Sequence, residues 1–322
     1  MKLRFAVLAL IAASAPHQAA TAQTYPNKPI RLVVPFSPGG GTDLQARTIG
    51  QHLSEAWGQP VIVDHRPGGT GAVGSNVVLQ AAADGYTMII VTSSTHAIAP
   101  NLYREAPYNP VRDFTGVAQT ATAPEIIAAH PSLPVHTAKE LIALAQKRPG
   151  KLNYASPGAG TIGHMTGELF KQVTHVNVVH VPYKGSGAAV RELLGGQVEL
   201  MFSAPGALVE HVRAGRLRAL GVLDNERTPL FEGLPTLAEL GYPQLDASNW
   251  YGLLVKTGTP ATIVQKLNEE VNRIMQQEKV KTMLFNQGYS VKTGTPEQFT
   301  KFVASEYEKW GKVVKQAGVK VD

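Results

Sequence analysis

Apolar runs of strand length alternate along this chain with segments whose apolar residues recur at helical spacing. Ile30 to Val34 reads as a buried strand, Leu44 to Trp57 as an amphipathic helix, and Val61 to Asp64 as a second strand. A helix over Ser75 to Ala83 and a strand over Tyr86 to Thr92 complete the unit. Strand, loop and helix repeated in this way predict a parallel sheet with helices on its faces. Phe114 to Thr122 is extended, Glu125 to Ala129 follows, and Thr137-Ala138-Lys139-Glu140 opens a helix as a capping box. The first pattern then recurs, with strands at Leu152 to Ala155, Val176 to Val181 and Val198 to Phe202. The helices between them run through Phe170 and to Leu194. Leu217 to Leu223 and Asn249 to Lys256 read as strands that return the chain towards the first unit.

Two helices close the chain. The first has Thr259 as N-cap, Pro260 at its first position, and Ile263, Val264, Leu267, Val271, Ile274 and Met275 along one stripe. The second starts from the capping box Thr295-Pro296-Glu297-Gln298 and carries Phe299, Phe302, Val303, Trp310, Val313 and Val314. The expected fold is α/β in two lobes, each a mixed, mostly parallel sheet flanked by helices. Residues 23–123 and 222–322 make lobe 1 and residues 124–221 make lobe 2. The two crossings, near Ala121–Glu125 and Leu220–Asp224, serve as the hinge.

The loops at the strand ends carry the candidate chemistry. Phe36-Ser37-Pro38-Gly39-Gly40-Gly41-Thr42-Asp43 stands between the first strand and the first helix. Three glycines put no Cβ in the way of a ligand, and the first amides of a helix have no intrahelical partner and can point at an anion. Lys and Arg are absent from Pro35 to Asp43, so neutral amides and hydroxyls would hold the anion, with Asp43 capping the local backbone. In parallel sheets ligands sit at the carboxyl ends of strands. Ser93, Ser94 and Thr95 lie at such an end in lobe 1. Ser156, Gly158, Gly160, Thr161 and His164, then Tyr183 to Gly187, then Ser203 to Gly206 lie at such ends in lobe 2. His164 either donates to the anion or holds its own loop through a backbone carbonyl, Lys184 is either a ligand cation or a solvated side chain, and Trp250 and Tyr251 either wall the cleft or belong to the core.

Charge and composition narrow the setting. Lys2 and Arg4 precede an apolar run from Phe5 to Ala13 and an Ala20-Thr21-Ala22 cleavage pattern, which predicts a signal peptide over residues 1–22. The mature chain is expected to begin near Gln23, in the periplasm, as a monomer with no cofactor. With no cysteine, it has no disulfide, no thiol chemistry and no lipid-anchoring cysteine. The net charge of +6, or +4 without Lys2 and Arg4, is scattered, so nucleic acid is not an expected partner.

Three catalytic or cofactor chemistries find less support in the sequence. Gly69 to Gly74 and Gly158 to Gly163 both match G-x-G-x-x-G, but neither is followed by a well-placed acidic residue about twenty positions on, so a dinucleotide is not expected. Zinc is not expected either: no H-E-x-x-H occurs, and His175 and His180 lack a nearby third ligand. An exported serine hydrolase would use Ser93, Ser94 or Ser156 with His96 or His164 and needs an orienting acid. No G-x-S-x-G is present.

Several motifs, in order, resemble the Bug family, the periplasmic solute receptors of tripartite tricarboxylate transporters. They are Pro35 to Asp43, Arg66-Pro67-Gly68-Gly69-Thr70-Gly71, Ala83-Asp84-Gly85-Tyr86-Thr87, and Ser156 to Thr161. His180-Val181-Pro182-Tyr183-Lys184-Gly185, Leu194 to Phe202, Gly215 to Leu220 and Leu234-Pro235-Thr236 continue the series over essentially the whole mature chain. The resemblance implies a two-lobed Venus-flytrap fold of type II and capture of a small carboxylate between Phe36–Asp43 and Ser156–Thr161. It also implies delivery to inner-membrane transporter subunits; a receptor feeding a sensor protein is the alternative. Many members carry an aspartate directly after the Met-Phe that is here Met201-Phe202. This chain has Ser203, which favours plain carboxylates over amino acids.

Overall fold

A computed structural model describes residues 25–320; the expected signal peptide over residues 1–22 lies outside them. In chain order the first half runs β1 (Ile30–Val34), α1 (Gly41–Trp57), β2 (Val61–His65), α2 (Ala72–Gln80), β3 (Thr87–Thr92), α3 (Ala99–Leu102), β4 (Phe114–Ala129), α4 (Ala138–Lys147) and β5 (Asn153–Ser156). Next come α5 (Ile162–Thr174), β6 (Val179–Pro182), α6 (Ser186–Leu194), β7 (Leu200–Ser203), α7 (Val209–Arg213) and β8 (Arg218–Leu223). The chain closes with β9 (Ser248–Lys256), α8 (Ala261–Met275), α9 (Glu278–Asn286), β10 (Ser290–Val291) and α10 (Pro296–Ala317).

One strand path, β2-β1-β3-β9-β4-β7-β5-β6, carries two α/β halves. β1 pairs in parallel with β2 and β3, and β5 in parallel with β6 and β7. β4 joins the halves. Its first part, Phe114 to Pro124, runs antiparallel to β9, and its second, Glu125 to Ala129, antiparallel to β8, with β7 on its other side. The two extended runs of the sequence are therefore one strand. Pro124 stands where the partners change, which is where a residue without an N–H is tolerated.

Burial explains why these runs form strands. Leu32 and Val34 face one apolar cluster with Ile49, Leu53 and Leu267, whereas Val33 faces another with Val78 and Ile89. A strand covered on both faces reads as continuously apolar. α8 buries Val264, Leu267, Val271, Ile274 and Met275 of the predicted stripe and half-buries Ile263, and α10 buries Phe299, Val303 and Trp310. The largest cluster spans both halves, because α10 packs on both β4 and α5.

Local chemistry departs from the pattern in a few places. α1 begins at Gly41, three residues before the expected start, and its first bond runs from Leu44 N–H to Gly40 O. Glycine is a poor helix former, so its place in the first turn leaves no trace in periodicity. α8 has Pro260 rather than Thr259 as its N-cap. The Thr295 capping box is complete; at α4, Thr137 accepts from Glu140 N, but Glu140 accepts from His136 N instead of the cap residue. α9 and β10, and a π-helical turn over Ser94–Ile98, are not visible in the sequence pattern.

Candidate functional site

A cavity of about 540 Å³ lies between the loops at the strand ends of the two halves. Phe36, Gly39, Gly40, Gly41 and Thr42 line it from the β1–α1 loop, and Thr92 and Ser94 from the end of β3. Pro157, Thr161, Ile162 and Gly163 face them from the β5–α5 loop, Gly185 and Ser186 from the start of α6, and Phe202, Ser203, Ala204, Gly206 and Ala207 from the end of β7. Glu125 of β4, Asn249 and Tyr251 of β9, and Gln287 and Tyr289 after α9 complete it. All its lining residues are described, and none is a lysine, arginine or histidine.

Three helix N-termini therefore open onto one space. The first intrahelical bonds are donated by Leu44 in α1, Met165 in α5 and Ala189 in α6. The amides before each of these precede any intrahelical acceptor, and each end carries partial positive charge. Asp43 does not line the cavity. Its Oδ2 accepts from Gly39 N at 2.9 Å, and its Oδ1 meets Arg47 Nε at 2.9 Å and His65 Nε2 at 2.7 Å. Burial opposes its charge, but these partners outweigh burial and hold the carboxyl below its ordinary range. Asp43 thus fixes the glycine loop. A Cβ at Gly41 would overlap the Tyr289 hydroxyl, so the glycine lets that ring close on the helix end.

The remaining sequence candidates divide between lining the space and supporting it. Ser94 Oγ accepts from Ile162 N at 3.2 Å, across the cleft. Ser93 is fully buried behind the wall; its Oγ donates to Asn249 Oδ1 at 2.6 Å, and Asn249 Nδ2 donates to Tyr251 Oη at 2.8 Å. Ser37 and Pro38 are exposed on the outer side of their loop. Ser156 is buried, not cavity-lining; its Oγ lies 3.0 Å from Gly158 O and 2.6 Å from His180 Nε2. His164 accepts Gly160 N–H on Nδ1 at 3.0 Å and stacks on His180 at 3.8 Å, so it holds the loop. Gly158, Gly160 and Tyr183 shape that loop and its neighbour without lining the space, and Lys184 is exposed outside it. Trp250 is a correction. It is buried on the opposite face of β9, where its Nε1 donates to Glu306 Oε2 at 3.1 Å, because alternation along the strand turns Asn249 and Tyr251 to the cleft instead.

The hydrolase geometry does not assemble at this space. His96 is buried between Tyr108 and Phe114, with Nδ1 3.1 Å from Thr95 Oγ1. Ser156 meets His180, a pairing outside the sequence reading, but no carboxylate partner orients that ring among the described residues, and Ser156 is closed off from the cavity. No three metal-ligating side chains converge among the described residues.

Glu125 is the group that sequence reasoning missed. It is 1% exposed, its Oε2 has no partner, and burial pushes its carboxyl up to about 8. Its signal was available as the one charge within the apolar run Val117 to Ala129. Ser203 stands where many relatives of this family pattern carry an acid, but an acid lines the cavity all the same: Glu125 comes from the neighbouring strand, beside the Ile126–Ser203 pair.

Burial also pushes His96 and His180 down to about 3 and lowers His164. Below about pH 6.5 an unfolded chain protonates the His96 and His180 rings and the folded one does not, so their contribution to stability is lost as pH falls from 6.5 towards 3, and His164 acts in the same sense. Glu125 acts oppositely. Its folded form keeps the proton up to about pH 8 and its unfolded form loses it above 4.5, so stability falls as pH rises between them. Urea midpoints are expected to peak at about pH 6–7 and to decline on both sides. A midpoint rising steadily to pH 9 would contradict the buried neutral acid.

The sequence model described as "Tripartite tricarboxylate transporter family receptor" matches residues 45–319. The chain belongs to this receptor family. It is 37% identical to Protein BugT of Bordetella pertussis over 94% of this chain and 93% of that protein. Among solved structures, Rpa4515 of R. palustris with adipate is 37% identical with a TM-score of 0.82, covering 92% of this chain and 99% of that one. MatC of Rhodopseudomonas palustris with bound malate is 32% identical with a TM-score of 0.79, covering 90% and 100%. The fold is accordingly the two-lobed periplasmic-binding-protein type, and no described helix of this receptor is long and apolar enough to cross a membrane.

Proposed function

We propose that this protein is an extracytoplasmic receptor that binds a small dicarboxylate between its two halves, turns nothing over, and delivers it to the inner-membrane subunits of a tripartite transporter. The convergence of three helix N-termini on one cavity without a cationic side chain carries this reading. A buried anion must be compensated, and amides at helix ends supply both donors and partial charge. The solved relatives with adipate and malate carry ligands of this class. The ligand-contact set is proposed to be Gly39–Thr42, Ser94, Thr161–Gly163, Ser186, Ser203 and Tyr289, with Ser93, Ser156 and His164 positioning the loops.

Ligand that binds only the folded state raises its melting temperature by mass action. Thermal-shift screening of C4 to C8 dicarboxylates, on protein stripped of carried-over ligand, is expected to give at least one saturable rise. That compound should also reduce the radius of gyration in solution scattering, by closure about residues 121–125 and 220–224. Silence across the series would sink the reading, and turnover of an ester blocked by a serine-directed phosphonate would favour a hydrolase.

A further inference from the structure

One carboxyl group stands in a cavity whose other lining residues are all neutral. Glu125 sits where β4 leaves β9 for β8, and its side chain lines the cavity with Oε2 unpartnered. Every element packed around it withholds a countercharge. β9 presents Asn249 and Tyr251, and the turn before β10 presents Tyr289, hydrogen-bonded to Tyr251; both phenols are raised above their ordinary range, first by burial, and stay neutral. β3 offers Thr92, whose hydroxyl is also unpartnered, and β7 offers Ser203. On β8 its register partner is Leu223; Asp224 turns to the opposite face, bonded to Ser248. The helix ends contribute only neutral residues to the lining.

We propose that Glu125 is a specificity-determining residue, a carboxylic acid whose O–H donates a hydrogen bond to one carboxylate of the bound dicarboxylate. The proposal rests on the receptor reading above and names the group that recognises the second charge. An ionised Glu125 without a partner is costly in this enclosure, and beside a ligand carboxylate it would also be repelled. The proton resolves both, since two carboxyl groups in contact share one proton readily. Burial holding the acid neutral to about pH 8 agrees with this geometry. A ligand ammonium would act in the opposite sense, drawing the proton off Glu125 to make an ion pair.

Calorimetric titration in pairs of buffers with different ionisation enthalpies tests the sign. The probes are C4 to C8 dicarboxylates and ω-amino acids of matching length, at pH 6.5 and 9. A dicarboxylate is expected to bind without proton exchange at pH 6.5 and with uptake approaching one proton at pH 9. Its Kd should weaken by roughly tenfold per pH unit once Glu125 ionises. Glu125→Gln, which keeps a donor and cannot titrate, is expected to remove both the uptake and the pH dependence. Glu125→Ala should weaken binding by about tenfold at pH 6.5. Independently of any ligand, the carboxyl carbon signal absent from Glu125→Gln spectra should titrate above pH 7. Titration in the ordinary carboxylate range, dicarboxylate binding without proton uptake at pH 9, or preference for amino acids with proton release would each overturn the proposal. Failure of the whole panel to bind would instead overturn the receptor reading on which it stands.

Discussion

Gly41→Val is expected to weaken dicarboxylate binding by about a hundredfold or more, while Lys184→Ala changes it by no more than about twofold. Gly41 is the first residue of α1 and lies under the Tyr289 hydroxyl. A valine there must displace a ring that packs edge-on against Tyr251 at 5.3 Å and also lines the cavity. It would stand in front of the helix-end amides, so several donors are lost together, each worth about 1 kcal/mol or more to an anion. Valine is acceptable at the start of a helix, so the variant should fold, which circular dichroism checks. Lys184 is exposed and outside the cavity. Gly160 would be a poorer test, because its φ of +74° and its contact with Leu102 mean that a side chain there strains the fold itself. Calorimetry on the Gly41 and Lys184 variants decides between amides and a side-chain cation. Intact binding by Gly41→Val together with none by Lys184→Ala would mean that the anion is held by the lysine.

The largest effect on stability is expected behind the cleft. Glu306 of α10 accepts from Trp250 Nε1 and from Trp310 Nε1, each at 3.1 Å, and from Lys309 Nζ at 2.8 Å. Both indoles are almost completely buried. Glu306→Ala leaves two buried N–H groups without acceptors and weakens the pairing of Lys309, whose other acidic partner, Asp246, is at 3.5 Å. The expected loss is about 3–5 kcal/mol by urea denaturation, whereas Glu306→Gln, which keeps an acceptor, should cost less. Equal losses in the two variants would show that packing, not the hydrogen bonds, holds this layer. The consequence reaches the cavity, since anchoring Trp250 on one face of β9 is what presents Asn249 and Tyr251 on the other.

The legible part of this protein is the part written in local chemistry. A run such as Ile30 to Val34 must be buried on both faces, and the spacing of Val264, Leu267, Val271 and Ile274 admits a helix and little else. Glycines crowded between strand and helix mark a place where backbone meets something closely, and Gly39 to Thr42 do line the cavity. Ser94, Thr161 and Ser203 were found for the same reason, as polar residues at the carboxyl ends of strands. His164 left two readings open in the sequence, and a single contact, from Gly160 N–H to its Nδ1, chose the positioning one.

What the chain alone determined was the alternation of elements, the two α/β units and the neutral glycine loops, because each follows from residues a few positions apart. Tertiary structure decided which face of β9 meets the cleft: alternation requires Trp250 and Tyr251 to diverge, but only the packing of α10 says which of them goes inward. It decided that Tyr289, from the turn after α9, reaches the glycine loop at Gly41, and that Gln287 of the same turn lies against Gly206. Above all it decided the state of Glu125. A lone acid in an apolar run can lie at a surface edge or in an interior, and the ionisation of a carboxyl depends on what surrounds it in three dimensions. Here the crossing of β4 between the halves encloses it among hydroxyls and amides, with no cation in reach to keep it charged.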